Sequence, residues 1–156
     1  MRPARLAIAA LLALAAPVAS AADPVLEALL KSADIPFEVD EDGDYKIVYD
    51  WSKEKRSQLV YISGTTEELA GVKLYKIFSP AKLLGEDTID PALAQRLLGE
   101  NAQYKFGAWE LAGKTLYFGG KVPAGTPAAR FETLVSVVAG TADDMEQELT
   151  PGKDDL

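Results

Sequence analysis

The feature that most constrains the fold is a period-two pattern on both sides of an Asp-Gly pair. Residues 37–40 alternate apolar and acidic side chains, Asp42-Gly43 follows, and residues 45–51 place an apolar side chain at every second position. This alternation is typical of strands that bury one face, and Asp-Gly is typical of the turn that joins them. The pattern predicts an antiparallel hairpin.

Further strands are predicted after this hairpin. Residues 58–62 are apolar on both faces, which favours a central position in the sheet, and residues 72–78 form another strand that ends before Ser79-Pro80. The charged residues 52–56, which separate the hairpin from the next strand, are interpreted as a solvated turn.

Three helices accompany the strands. Asp23-Pro24 and Asp90-Pro91 each combine a capping carboxylate with a proline at the first helical position, which predicts a helix start at both places. A third helix is predicted to begin near Thr126-Pro127 and to stop at Pro151-Gly152. Its apolar stripe has helical spacing and consists of Phe131, Leu134, Val135, Val138, Ala142, Met145 and Leu149.

The order of these elements predicts the fold class. A second hairpin joins residues 104–111 to residues 115–122 through a turn at residues 112–114, so the full order is α-β-β-β-(β)-α-β-β-α. Because hairpins pair strands in the antiparallel sense, we predict an α+β fold with helices packed on an antiparallel sheet of five to six strands. One face of such a sheet is left for solvent or a partner.

The first residues have the three zones of a secretory signal peptide. Arg2 and Arg5 are basic, residues 6–16 are uniformly apolar, and Ala19-Ser20-Ala21 provides the small residues that a signal peptidase recognises. The apolar run is shorter than the about 20 residues that a membrane-spanning helix needs. We therefore expect a periplasmic or secreted protein with no membrane anchor after cleavage.

Cleavage at this site defines the domains and the charge of the mature protein. We predict a signal peptide at 1–21, one α+β domain at 22–150 and a flexible tail at 151–156. Loss of Arg2 and Arg5 changes the formal net charge from −8 to −10. Such an acidic protein is not expected to bind nucleic acid, because nucleic acid is itself a polyanion.

The residue types exclude most catalytic chemistry. The chain has no histidine and no cysteine, which removes Ser-His-Asp triads, thiolate nucleophiles and sites with His or Cys ligands. Gly113, Gly119 and Gly120 lack the spacing and the lysine of a phosphate-binding loop. We therefore predict that the protein is not an enzyme and has no cofactor.

Three aspartates superficially suggest a calcium loop. Counted from Asp40, through Asp42 and Asp44, glycine falls at the fourth position and Trp51 at the twelfth. An EF-hand needs glycine at the sixth position and glutamate at the twelfth. The aspartates are therefore interpreted as an acidic hairpin tip, and no metal site is predicted.

Carboxylate chemistry stays open as an alternative. Glu110 follows Trp109, so a carboxylate and a ring that could stack on a sugar are neighbours in sequence. A strand with one buried and one polar face explains the same pair of residues.

Aromatic residues provide candidates for a partner-binding face. The set consists of Tyr45, Tyr49, Trp51, Tyr61 and Trp109. Aromatic side chains offer large contact surfaces with a polar end. The tyrosines and Trp51 are equally suited to the core side of the sheet, because aromatic residues favour half-buried strand positions. Both interpretations are kept.

Four stretches of the chain resemble one protein family. They are the acidic hairpin at 37–45, the strand at 56–62, the segment from 97–102 to 107–109, and the strand at 116–123 that leads into the last helix with Ala142-Asp143. Together they resemble the YbjN-like family of bacterial proteins, which are labelled sensory-transduction regulators and whose fold is similar to type III secretion chaperones. The resemblance implies a non-catalytic protein that binds other proteins. The better-known members of the family are cytoplasmic, whereas this chain has an export signal.

These observations give one leading hypothesis and two alternatives. The leading hypothesis is an exported, non-catalytic, protein-binding or chaperone-like module of the bacterial envelope with an unidentified protein partner. The alternatives are a small carboxylate hydrolase of envelope polysaccharide or peptide, and a structural subunit of an envelope complex.

A homodimer is also considered, because of one residue of the last helix. Val137 lies about 240° around the helix from Phe131 and therefore off the apolar stripe. An apolar residue at this position indicates either a second contact surface or a single exposed valine.

Export gives the first testable prediction. When the full chain is expressed in a Gram-negative host, N-terminal sequencing of the soluble protein should find Ala22, or a residue next to it, as the mature start. Intact Met1 in a soluble cytoplasmic fraction would contradict the prediction.

Overall fold

The computed structural model describes residues 23–51, 53, 56–85 and 88–152 of the chain. Within these ranges the elements are α1 (Pro24–Ser32), β1 (Glu38–Val39), β2 (Tyr45–Trp51), β3 (Arg56–Ile62), β4 (Glu67–Leu69), β5 (Val72–Leu83), α2 (Pro91–Asn101), β6 (Ala108–Ala112), β7 (Thr115–Pro123) and α3 (Ala128–Leu149).

The predicted α+β class and the predicted order of elements are confirmed. The sheet has seven strands, because a short strand that was not predicted, β4, pairs with β5. All three residues of β4 are exposed, so the sequence has no alternation there to indicate a strand. The predicted signal peptide and residues 153–156 of the predicted tail lie outside the described residues. In the described part, no helix is long and apolar enough to span a membrane.

Every strand pair is antiparallel, and the main path of the sheet is β1-β2-β3-β5-β7-β6. Helix α3 lies across β3, β5 and β7, α1 contacts α3, and α2 contacts β6. The core lies between the helices and one face of the sheet, where Phe131 and Val135 of α3 are fully buried together with Val60 and Ile77 of the central strands. The opposite face carries no helix among the described residues.

The first predicted hairpin is confirmed, and its acidic tip is held by its own carboxylates. Asp40 accepts hydrogen bonds from the N–H groups of Asp42 at 3.0 Å and Asp44 at 2.9 Å. Gly43 has a φ of 84°, which glycine adopts without strain, and Asp44 accepts from Gly64 N–H at 3.0 Å. Asp40 N–H donates to Asp44 O at 2.9 Å, so the even-numbered residues of β2 turn their backbone groups toward β1.

Strand β1 is two residues long because Pro36 precedes it. The register pairs Glu38 with Lys46, so a continued ladder would require Pro36 to pair with Val48. Proline has no N–H and cannot donate to the ladder at that position. The pairing of β1 with β2 therefore stops at Lys46 and leaves the rest of that edge of β2 open.

The prediction that a strand ends before Ser79-Pro80 is wrong. Strand β5 continues to Leu83 with an irregularity between Pro80 and Lys82. The carbonyl of Pro80 accepts from Gln58 Nε2 of β3 at 2.7 Å, so the missing N–H of Pro80 also lies on the β3 side. Backbone pairing between β3 and β5 is confined to Tyr61 and Ile62, so the ladder loses nothing at Pro80.

The second hairpin is confirmed, but β6 begins at Ala108 and not at residue 104. Gly107 has a φ of 80°, which is outside the strand region. The ring of Phe106 covers Gly120, where a Cβ atom would lie 2.6 Å from Phe106 Cζ. This close contact draws the segment before Ala108 over the sheet and out of the ladder.

The predicted starts of α1 and α2 are confirmed. The side chain of Asp23 accepts from two N–H groups of α1, and Asp90 does the same for α2. Helix α3 begins at Ala128 after Pro127, which makes no side-chain capping bond. Because its apolar stripe is covered by the sheet, α3 derives its stability from packing.

Asp23 also connects α1 to the sheet. Its N–H donates to Tyr45 Oη at 2.7 Å, and its carboxylate accepts from Tyr75 Oη at 3.0 Å. Burial, reinforced by the Asp23 carboxylate, raises the pKa of Tyr75 to about 12. The helix start and two central tyrosines thus form one polar contact.

The interpretation of residues 52–56 as a solvated turn is wrong for Arg56. Arg56 lies in β3, and its side chain is 14% exposed. Its Nη2 is 2.6 Å from Asp143 Oδ1, and Asp143 is a buried residue of α3. Residues 52, 54 and 55 of the predicted turn lie outside the described residues. Arg56 begins β3, and this strand carries its side chain under α3, where Asp143 is its partner.

The buried ion pair gives a stability prediction. Arg56→Met should lower the free energy of unfolding by about 3–5 kcal/mol, because it leaves the Asp143 carboxylate without its cationic partner. The control is Lys76→Met, which breaks the more exposed Lys76–Glu110 pair and should lower it by less than about 1 kcal/mol. Urea denaturation measures both. Equal losses would contradict the prediction, as would a failure of Arg56→Met/Asp143→Leu to recover most of the loss.

Tyr75 gives a prediction about alkaline pH. Tyrosine ordinarily ionises at a pKa of about 10, so the raised pKa of about 12 in the folded protein means that above pH 10 the unfolded chain loses this proton first. The contribution of Tyr75 to the free energy of unfolding is therefore fully present below pH 10 and is lost as the pH rises to about 12. Urea midpoints measured across this range should fall less steeply in Tyr75→Phe than in the wild type. An unchanged slope, matching that of the control Tyr61→Phe, would contradict this assignment.

Candidate functional site

The five aromatic residues predicted from the sequence do not form one exposed face. Tyr45 is 0% exposed and Trp109 is 6% exposed, so both belong to the core. Tyr49 and Trp51 are half-buried and pack against that core. Tyr61 lies on the opposite face, because it is out of phase with Val60 and Ile62, which are buried under the helices.

Tyr45 and Trp109 pack against other aromatic rings in the core. The ring of Tyr45 lies 5.3 Å from that of Phe37, and the ring of Trp109 lies 5.2 Å from that of Phe118. Trp109 Nε1 donates to Tyr104 Oη at 3.3 Å. For Tyr45 and Trp109, a role in direct contact with a partner is therefore corrected to a role in packing.

A different set of aromatic residues lies on the face without helices. Tyr61 of β3, Phe78 of β5 and Tyr117 of β7 are half-buried and contact one another across three neighbouring strands. The ring centroids of Tyr61 and Phe78 are 5.5 Å apart, and those of Phe78 and Tyr117 are 5.8 Å apart. We call these three residues the aromatic face.

Gly119 allows the Phe78 side chain to lie close to the backbone of β7. Phe78 and Gly119 are directly opposite each other in the ladder. A Cβ atom on Gly119 would lie 3.1 Å from Phe78 Cβ and 3.0 Å from Ile77 O, which is tighter than normal packing. The adjacent glycines of β7 therefore serve two close contacts, one with Phe78 on the aromatic face and one with Phe106 on the core side.

Three lysine–glutamate pairs surround the aromatic face. They are Lys76–Glu110 at 2.6 Å, Lys121–Glu67 at 2.6 Å and Lys46–Glu38 at 3.4 Å. Lys76 Nζ also lies 5.7 Å from the centroid of the Phe78 ring, which is within cation–π range. The hydrogen bond and the charge of Glu67 raise the pKa of Lys121. Each lysine is matched by a carboxylate, so the face presents no net positive patch of the kind that binds phosphate backbones.

The geometry separates Glu110 from Trp109. Successive strand residues point to opposite faces, so Glu110 lies beside the aromatic face whereas Trp109 lies in the core. Trp109 is therefore not placed to stack a sugar beside the Glu110 carboxylate. Among the described residues, no group of three or more acidic, His or Cys side chains could hold a metal ion.

The aromatic face was only partly anticipated from the sequence. Tyr61 was among the candidates, but Phe78 and Tyr117 were not. The signal was present in the alternation, since Tyr75 and Ile77 of β5 are buried and Phe78 is their out-of-phase neighbour. Recognising it requires knowing which phase of each strand the helices cover.

Comparisons with known proteins leave the family open. The chain matches no family in a comparison with models of protein families, and no curated protein has a significantly similar sequence. The resemblance to the YbjN-like family therefore stays a prediction.

Proposed function

We propose that this protein is an exported, non-catalytic, protein-binding or chaperone-like module of the bacterial envelope. The observation that carries the proposal is the aromatic face, a group of three contacting aromatic side chains on a sheet surface that no described helix covers. Exposed apolar groups rimmed by polar residues mark interaction sites, and Tyr is enriched among residues that dominate binding energy.

The ring geometry favours a protein over a polysaccharide as the partner. Tyr61 and Phe78 are stacked with an interplanar angle of 18°, and Tyr117 meets Phe78 at 67°. Phe78 contacts an aromatic ring on each side, and Lys76 Nζ lies over it at 5.7 Å from the ring centroid, whereas sugar binding requires an open ring face. Side chains of a protein partner can pack between ring edges, and the surrounding Lys–Glu pairs can fix its orientation.

The hydrolase alternative has little support from the geometry. Glu110 is bonded to Lys76 at 2.6 Å, which suits an ion pair at the rim of a binding surface. A structural subunit would use the same aromatic face in a permanent contact, and the stability of the complex separates that role from the proposed one.

Partner capture tests the proposal. A tagged chain with its signal peptide is expressed in a Gram-negative host, purified from the periplasm, and its bound proteins are quantified by mass spectrometry. Tyr61→Ser/Tyr117→Ser should reduce capture of a partner by about tenfold or more, because loss of central aromatic contacts typically costs about 2 kcal/mol or more.

The matched control replaces two exposed apolar residues elsewhere. Val25 is 60% exposed on α1 and Leu98 is 72% exposed on α2, so Val25→Ser/Leu98→Ser should capture the partner like the wild type. Equal capture by both double variants would contradict the proposal. Turnover of envelope polysaccharide that is lost in Glu110→Gln, with an unchanged unfolding midpoint, would support the hydrolase instead.

A further inference from the structure

The outer edge of β2 is open beyond its short contact with β1. The two strands pair only through Glu38–Lys46 and Val39–Tyr45, and no other described strand pairs with this side of β2. Val48 is the next residue that turns its N–H and C=O outward, and its side chain is 53% exposed. An exposed edge of this kind is a template for an added strand.

A groove runs beside this edge. Its volume is about 230 Å³, and it lies between the segment that precedes β1 and the second half of β2. Ile35 and Ile47 are buried and provide an apolar floor, while Val48 and Pro36 form part of the rim. The groove therefore offers apolar contacts to a side chain of a strand paired with Val48.

The charge of the groove is negative. The carboxylates of Asp34 and Glu132 line it, and none of its described lining residues is Lys or Arg. Burial and the charge of Glu132 raise the pKa of Tyr49, which also lines the groove. The nearby Lys31 is bonded to Glu27 at 2.9 Å. The charge is thus complementary to a cationic ligand.

The other end of the sheet shows that an edge can be closed within this fold. The side chain of Asn101 accepts from Trp109 N–H at 2.7 Å and donates to Trp109 O at 3.1 Å. It occupies the place of a neighbouring strand residue on β6. No described side chain does this for Val48 on β2.

We propose that the open edge of β2 binds an extended, basic peptide segment of a partner protein, which pairs with Val48 as an added strand and places lysine or arginine beside Asp34 and Glu132. This rests on the proposed protein-binding function and names the chemistry of the partner. A second copy of the chain is disfavoured as the occupant, because it would bring the same acidic groove against itself.

Peptide binding to the purified mature protein tests the proposal. The probes are two fluorescein-labelled peptides with blocked ends, one of alternating lysine and valine and the other of alternating glutamate and valine. The lysine peptide should bind with an affinity that falls as salt is added, and the glutamate peptide should not bind. Hydrogen exchange of the Val48 amide should become slower when the lysine peptide is present.

Two pairs of variants test the charge. Asp34→Asn/Glu132→Gln should weaken binding of the lysine peptide by about three- to tenfold, as expected for loss of partly solvated charge pairs. The first substitution keeps the φ of 55° at position 34 accessible, because asparagine tolerates that region. The control Glu68→Gln/Asp144→Asn changes the charge equally, away from the groove, and should weaken binding less than twofold by long-range effects alone.

Two substitutions at one position test the added strand. Val48→Pro removes the outward N–H, and it spares the bonds to β3, which come from the odd-numbered residues of β2. It should weaken binding more than tenfold. Val48→Lys keeps the backbone N–H and repels the lysine peptide, so it should also weaken binding. This variant provides the test if the proline variant fails to fold.

Several results would overturn the edge site. They are equal binding of both peptides, binding of neither, equal effects of the two charge pairs, or protection of the Val48 amide by self-association alone. Binding that instead depends on Tyr61 and Tyr117 would overturn the edge site and leave the proposed function standing. Binding at Val48, with partner capture indifferent to Tyr61→Ser/Tyr117→Ser, would support the edge site and remove the aromatic face.

Discussion

The surface of this protein depends on the packing of α3 against one face of the sheet. Phe131, Val135 and Val138 of α3 are fully buried against alternate residues of the central strands. Because strand side chains alternate, covering one phase leaves the other phase uncovered. Helix α3 thereby turns Tyr75 into a core residue and Phe78 into a surface residue, although the two belong to the same strand.

The packing of α3 also includes a polar seam. Arg56 and Asp143 form an ion pair between β3 and α3, and Gln58 connects β3 to β5 where their backbones no longer pair. Buried polar groups are costly unless they are paired, so displacement of α3 by one helical turn would leave Asp143 without Arg56. We infer that the seam fixes the register of α3 on the sheet, and with it the choice of the uncovered face.

The two edges of the sheet differ in whether their outward backbone groups are hydrogen-bonded. At β6, the Asn101 side chain bonds both backbone groups of Trp109, which blunts an edge that could otherwise recruit another strand. At β2, Pro36 stops the ladder and leaves Val48 open beside an acidic groove. An aromatic face and an open acidic edge both suit a protein that binds other proteins.

The sequence by itself determined the hairpins, the helix starts at Asp23 and Asp90, the α+β class and the exclusion of histidine and cysteine chemistry, because these depend on residue type and local periodicity. It did not determine which phase of each strand is covered, so Tyr45 and Trp109 were grouped with Tyr61 as one face. Only the tertiary structure separates Tyr45 and Trp109, which lie in the core, from Tyr61, which lies on the opposite face. Which phase faces inward depends on where α3 lies, and that is fixed by contacts between residues far apart in the chain.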